Sequence, residues 1–280
     1  MKRTFIGSLL LSLLLTACAG LSSEEKVQQE AAQARYAKAD AMFRERCKKS
    51  GEFIYRTAEN VEGVFLLKLR PSQINRSDQY RMDDPFGRDL GGDGYIESFI
   101  RGQFQATHTG IGRPGSPQYI GYHYVDAIDP KDGKRYRYTG GMKAVGRKDI
   151  NAKGVQMALE RNPNYDLNIY RFVLDKVPAP DPAPRYGVTY DDISTREERD
   201  YWIAGSSLKV IDLKTNEVMA ERIGYMMDRG QGSTGGGRSP WLLAERTACP
   251  AFPTTSGGYP FKGYQTRNFV EKVLHIAEEK

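Results

Sequence analysis

The chain has 280 residues and a formal charge of +6, which is enough length for one large domain or two small ones with a real core. Lys and Arg are spread along it without a dense block, so charge argues against nucleic acid as a partner. After the N-terminal leader, no apolar run approaches the roughly 20 residues that a membrane-spanning helix needs.

Lys2 and Arg3 open the chain, and an apolar, leucine-rich run follows from Phe5 to Leu15. A positive start, a short apolar core and small residues at a cut are the pattern of a secretory signal peptide. Leu15-Thr16-Ala17-Cys18 then resembles the lipobox of bacterial lipoproteins. The resemblance implies loss of residues 1–17, diacylglycerol on the Cys18 thiol and acylation of the freed amine. Several acyl chains on one residue make a firm anchor, since each buried methylene contributes roughly 0.8 kcal/mol. Residue 19 is Ala and not Asp, which resembles the sorting pattern of lipoproteins sent to the outer membrane. That pattern does not say which side the body faces; the periplasm is the side expected. The alternative is a plain signal peptide with a chance cysteine. Losing residues 1–17 removes Lys2 and Arg3 and no acid, so the charge falls from +6 to +4. Cys47 and Cys249 are then left in an oxidising compartment and are expected to pair, the alternative being two separate buried thiols.

Residues 18–50 read as the lipidated Cys, a small-residue spacer and a helix from Glu24 to Lys49, with acids early and bases late. Ser22 or Ser23 is the expected N-cap, Tyr36, Ala39, Phe43 and Cys47 form one stripe, and Gly51 is the expected stop. Residues 51–177 read as a first β-rich half. Its strands are expected at 52–56 and 64–70, paired with each other, then at 95–105, 119–128, 135–138 and 169–177, with a short helix at 151–162. Pro178, Pro180, Pro182 and Pro184 mark 178–185 as a stiff connector or domain boundary. In the second half, 186–280, strands 202–213 and 217–227 flank Lys214-Thr215-Asn216 as a hairpin. Trp202, Ala204, Leu208 and Val210 share one face of the first strand, and Val218, Ala220, Gly224 and Met226 one face of the second. A Gly-rich loop follows at 229–240, and 269–277 reads as an amphipathic helix. The fold class expected is α+β: an N-terminal helix, a mostly antiparallel sheet and a C-terminal helix.

Catalytic chemistry is hard to find. His108 and His123 lie in neighbouring strand regions and would need a carboxylate to make a zinc set, without any close ligand spacing. His275 reads as a surface or packing residue. Gly205-Ser206-Ser207-Leu208 lacks the second glycine of a nucleophile elbow, and the run 230–237 lacks the ending of a phosphate loop and reads as a flexible surface loop. Asp83, Asp84, Asp89 and Asp93, among Gly91, Gly92 and Gly94, offer oxygen ligands for calcium in a spacing unlike an EF-hand. The expectation is therefore a non-catalytic chain with no cofactor and no resident metal, which binds a protein partner. Asp89, Asp93, Tyr95, Arg229, Arg238 and Trp241 are the candidate partner-binding residues, because Tyr, Trp and Arg dominate binding hot spots. The lipobox, a helix ending in Cys47, the strand pair around Glu62-Gly63 and the late Cys249-Pro250 together resemble lipoproteins that neutralise type VI secretion lipase toxins. That resemblance implies a phospholipase toxin as partner, with 229–240 or 82–95 covering its active site. An envelope enzyme, a small-ligand binder and a structural or assembly lipoprotein are the alternatives.

Overall fold

The computed structural model describes residues 22–73, 78–80, 89–103 and 116–277. Helix α1 spans Ser23–Cys47, and strands β1 (Gly51–Ile54), β2 (Ala58–Val61) and β3 (Gly63–Leu66) follow. Next come α2 (Asp93–Glu97), β4 (Tyr124–Ile128), β5 (Arg135–Arg147), α3 (Lys153–Arg161) and β6 (Asn168–Pro178). The chain continues through β7 (Tyr186–Asp192), α4 (Arg196–Asp200), β8 (Ile203–Asp212), β9 (Glu217–Met227) and β10 (Ala248–Cys249), and closes with α5 (Gln265–Glu271) and β11 (Leu274–Ile276). The order β1-β9-β8-β7-β3-β4-β5-β6 forms one sheet, with β10 also on β9. Among the described residues only β3 pairs in parallel within it, with β4 on one side and β7 on the other. This is the expected α+β class. The strands on both sides of 178–185 lie in that same sheet, so the prolines connect two of its strands.

Local chemistry explains α1. The Ser22 hydroxyl accepts from the Glu25 N–H at 3.2 Å, and the Glu25 carboxylate accepts from the Ser22 N–H at 2.7 Å. This capping box satisfies two backbone donors at the helix start. Ala39 and Phe43 pack on Ile203, Tyr225 and Met227. Residues 23–34 are exposed, so α1 docks by its second half. The helix ends at Cys47 with Lys48 as C-cap, and Gly51 begins β1 instead of stopping α1. Cys47 and Cys249 form the expected disulfide, with their Cα atoms 5.4 Å apart.

Four expectations are corrected. Strands β1 and β3 do not pair: β1, with Phe53 and Ile54 exposed, pairs with β9 at the sheet edge, whereas fully buried Val64 and Leu66 place β3 in the middle. The described part of 95–105 contains α2 and a turn, not a strand. Tyr95, Ile96, Phe99 and Ile100 lie at helical spacing and are all buried. The C-terminal helix starts at Gln265 and ends at Glu271, after which Leu274–Ile276 pairs in parallel with β2. Finally, a bulge between Val210 and Ile211 turns Val218 outward and buries Met219. The hairpin itself forms as expected, and Asn216 takes the left-handed φ of 60° in its turn.

The main core lies between the sheet and the segments around α2 and α5. Val64, Leu66, Val125, Val188, Leu208 and Val210 meet Tyr95, Phe99, Phe269 and Val273 there. The Tyr122 hydroxyl, buried in this core, donates to the Leu274 carbonyl at 2.7 Å. Two buried carboxylates are matched by guanidiniums. Asp212 accepts from Arg185 at 2.8 Å and from Arg56 at 2.8 Å, and these guanidiniums hold its carboxyl well below the usual carboxylate range. Asp126 accepts from Arg137 through both oxygens, at 2.7 and 3.1 Å.

Candidate interaction surface

The residues proposed for partner binding have mostly structural surroundings. Tyr95 is fully buried in the core. Trp241 is 2% exposed and stacks at 5.3 Å between ring centroids on Trp202, so it belongs to a second small core with Met226 and Phe252. The Asp89 carboxylate accepts from the Tyr264 N–H at 2.7 Å and the Thr266 N–H at 2.8 Å, which ties its segment to the start of α5. Arg238 forms an ion pair with buried Asp228. Asp228 also accepts from the Gly230 and Gly232 N–H groups at 3.1 Å each, so one carboxylate organises the Gly-rich loop. Gly232 has a φ of 79°, and a Cβ there would lie 2.2 Å from the Trp202 ring, so only glycine fits against that indole. The loop therefore has a packing role that its composition did not suggest. Of the six candidates, Asp93 and Arg229 remain exposed.

His123 is half-buried and lines a cleft of about 770 Å³ with Arg101, Tyr119, Met142 and Tyr170. Its backbone N–H donates to the Glu62 carbonyl at 2.7 Å. His108, Asp83, Asp84 and Cys18 lie outside the described residues. His275 Nδ1 is 2.6 Å from a Glu59 carboxylate oxygen, a surface pair. Among the described residues no group of three His, Cys, Asp or Glu side chains is placed to hold a metal ion. Beside the cleft, Tyr119 donates to Glu271, and Arg267 Nε lies 3.9 Å from that carboxylate. Burial pushes the Glu271 carboxyl up to about 7.

The most prominent surface feature was not anticipated. Strand β5 pairs with β4 over Arg135–Tyr138; from Thr139 to Arg147 its ladder partner among the described residues is β6 alone. These nine residues make a two-stranded arm about 30 Å long. At its tip, the Asp149, Asn162 and Asp166 side chains each accept from a backbone N–H two residues on, and Lys148 donates to the Asp166 carbonyl at 2.6 Å. Helix α3 lies in this tip with Val155, Ala158 and Leu159 half-buried. Val145, Ile150, Met157 and Ile169 are exposed on the arm, at 49, 54, 43 and 38%. Arg147, Lys153, Arg161 and Arg171 stand among them without a carboxylate partner among the described residues. Strand β6 is also a sheet edge, with one side of its backbone unpaired by any described strand. Apolar side chains, guanidiniums and a free strand edge are the components of a protein-docking surface.

No protein-family model matches the chain, and no curated protein or solved structure is significantly similar to it.

Proposed function

We propose that the chain is a lipid-anchored protein of the cell envelope that acts, without catalysis, by binding a protein partner through the β5–β6 arm. The observation that carries this reading is the arm itself. Holding large apolar side chains in water on a two-stranded projection gains nothing for the fold, whereas a partner surface would bury them. The anchor rests on the lipobox at Cys18, with the outer membrane facing the periplasm as its site. The exposed first half of α1, about 18 Å long, would serve as the spacer between lipid and body. Tethering raises the effective concentration of a binder where its partner meets the membrane. The basic residues of the arm that have no carboxylate partner among the described residues favour a partner with an acidic surface.

The resemblance to secretion-toxin immunity lipoproteins makes a phospholipase toxin the first partner to test. The acyl-free chain should capture a co-encoded toxin in a pull-down and suppress its lipase activity at a one-to-one ratio. Failure to capture or inhibit any co-encoded toxin would refute the immunity assignment. Loss of capture in a variant carrying Val145→Thr, Ile150→Asp and Met157→Asp, with its melting temperature unchanged, would support the arm as the docking surface.

A further inference from the structure

We infer that the cavity at the carboxyl ends of β3 and β4 binds an amphiphilic anion, a phosphate or carboxylate group carrying a short apolar body. The chain leaves β3 for β4 on one side and returns to β7 on the other. Divergence of this kind opens a crevice beyond the strand ends where ligands bind in open sheets. Here the crevice is about 870 Å³, within the range of small-molecule sites. It lies at the end of the sheet away from the arm's tip and shares only Leu174, at the arm's base, with the docking surface proposed above.

Four cations line it: Lys68 and Arg70 after β3, Lys131 after β4, and Lys176 on β6. Asp93 and Asp129 are the acids of the lining, and Asp129 is taken by Lys176. Exposed Lys131 also donates its backbone N–H to Asp129 at 2.8 Å, so Lys131 and Lys176 share that acid, whereas Lys68 has no carboxylate partner among the described residues. The Lys68 ammonium is 4.5 Å and the Arg70 guanidinium 3.9 Å from the centroid of the Tyr190 ring, which is 1% exposed. Lys68 and Arg70 therefore place two positive charges on one wall of the cavity, which favours an anion there. The remaining wall is apolar, from Leu69, Ile96, Ile128 and Leu174. Cations alone would suit a free inorganic anion. The apolar wall adds a preference for an attached chain, about fourfold in affinity for each methylene fully buried.

The test is calorimetric titration of the full chain carrying Cys18→Ser with hexyl phosphate, hexanoate, inorganic phosphate and hexyltrimethylammonium. At least one of the two amphiphilic anions should bind one per chain, at least tenfold tighter than inorganic phosphate, with no binding of the cation. Which of the two binds more tightly identifies the head group. A variant with Lys68→Glu and Lys131→Glu should lose at least tenfold in affinity, and exposed Lys131→Glu alone should lose severalfold even if the double variant fails to fold. Absence of saturable binding by both amphiphilic anions, equal binding of the cationic amphiphile or of inorganic phosphate, or unchanged affinity in a folded charge-reversal variant would overturn the inference.

Discussion

Replacing Cys47 and Cys249 together by Ser should reveal how α1 is held. The bridge joins residues 202 apart in sequence, and the chain-entropy relation for a loop of that length gives about 5 kcal/mol as a ceiling. The realised value should be about 2–4 kcal/mol, because strain and residual structure in the unfolded chain reduce it. Without the bridge, α1 retains Ala39 and Phe43 in their pocket, the ion pairs of Arg46 with Glu198 and Lys38 with Glu197, and Arg35 and Lys38 against the Tyr201 ring. The buried apolar part of that contact is small and the Lys38–Glu197 pair is exposed, so α1 should detach locally before the sheet unfolds. Urea titration followed by circular dichroism measures the global loss, and amide exchange within residues 36–47 measures the local one. A global loss below about 1 kcal/mol, with α1 amides as protected as in the bridged protein, would refute this reasoning.

Burial raises the Glu271 carboxyl to about 7, so the folded state favours its protonated form. The stabilisation this provides is complete below the unfolded value near 4.3 and is lost as pH rises through 7. Glu271→Gln should therefore be more stable than the natural chain at pH 8, by about 1–2 kcal/mol after allowing for partial exposure, and equal to it at pH 4; urea midpoints at the two pH values check this. Asp212→Asn leaves Arg56 and Arg185 without their shared carboxylate and should cost about 2 kcal/mol, less than a fully buried pair because both guanidiniums are half-exposed; thermal unfolding at pH 7 measures it. If Cys18 carries lipid, Cys18→Ser should move the protein from the membrane to the soluble fraction on cell fractionation.

What could be read in the chain was local. The hairpin of β8 and β9 was legible because two period-2 runs flank a turn whose Asn216 tolerates a left-handed backbone. The capping residues and stripe of α1 were legible for the same reason. Parallel pairing of β3 with β7 was not, since Leu66 and Val188 are brought together by tertiary packing with no local signal. Tyr95, Ile96, Phe99 and Ile100 did carry a helical signal, masked by their strand-forming side chains. Trp241 is expected at a partner surface because Trp is enriched at binding hot spots, yet the loop before it lets its ring pack, tilted, on Trp202. The arm left a trace that went unused. Strand-forming runs of 13 and 11 residues, at 135–147 and 168–178, flank a polar segment full of Asp and Asn turn formers.

The arm can be tested directly by placing a photoreactive benzoylphenylalanine at Met157 on the arm and, in a separate protein, at Phe53 on the opposite edge of the sheet. Both positions are exposed, so reactivity alone does not distinguish them. Irradiation in cells should give a protein adduct from position 157 and none from position 53. Adducts from position 53 with none from position 157 would contradict docking through the arm.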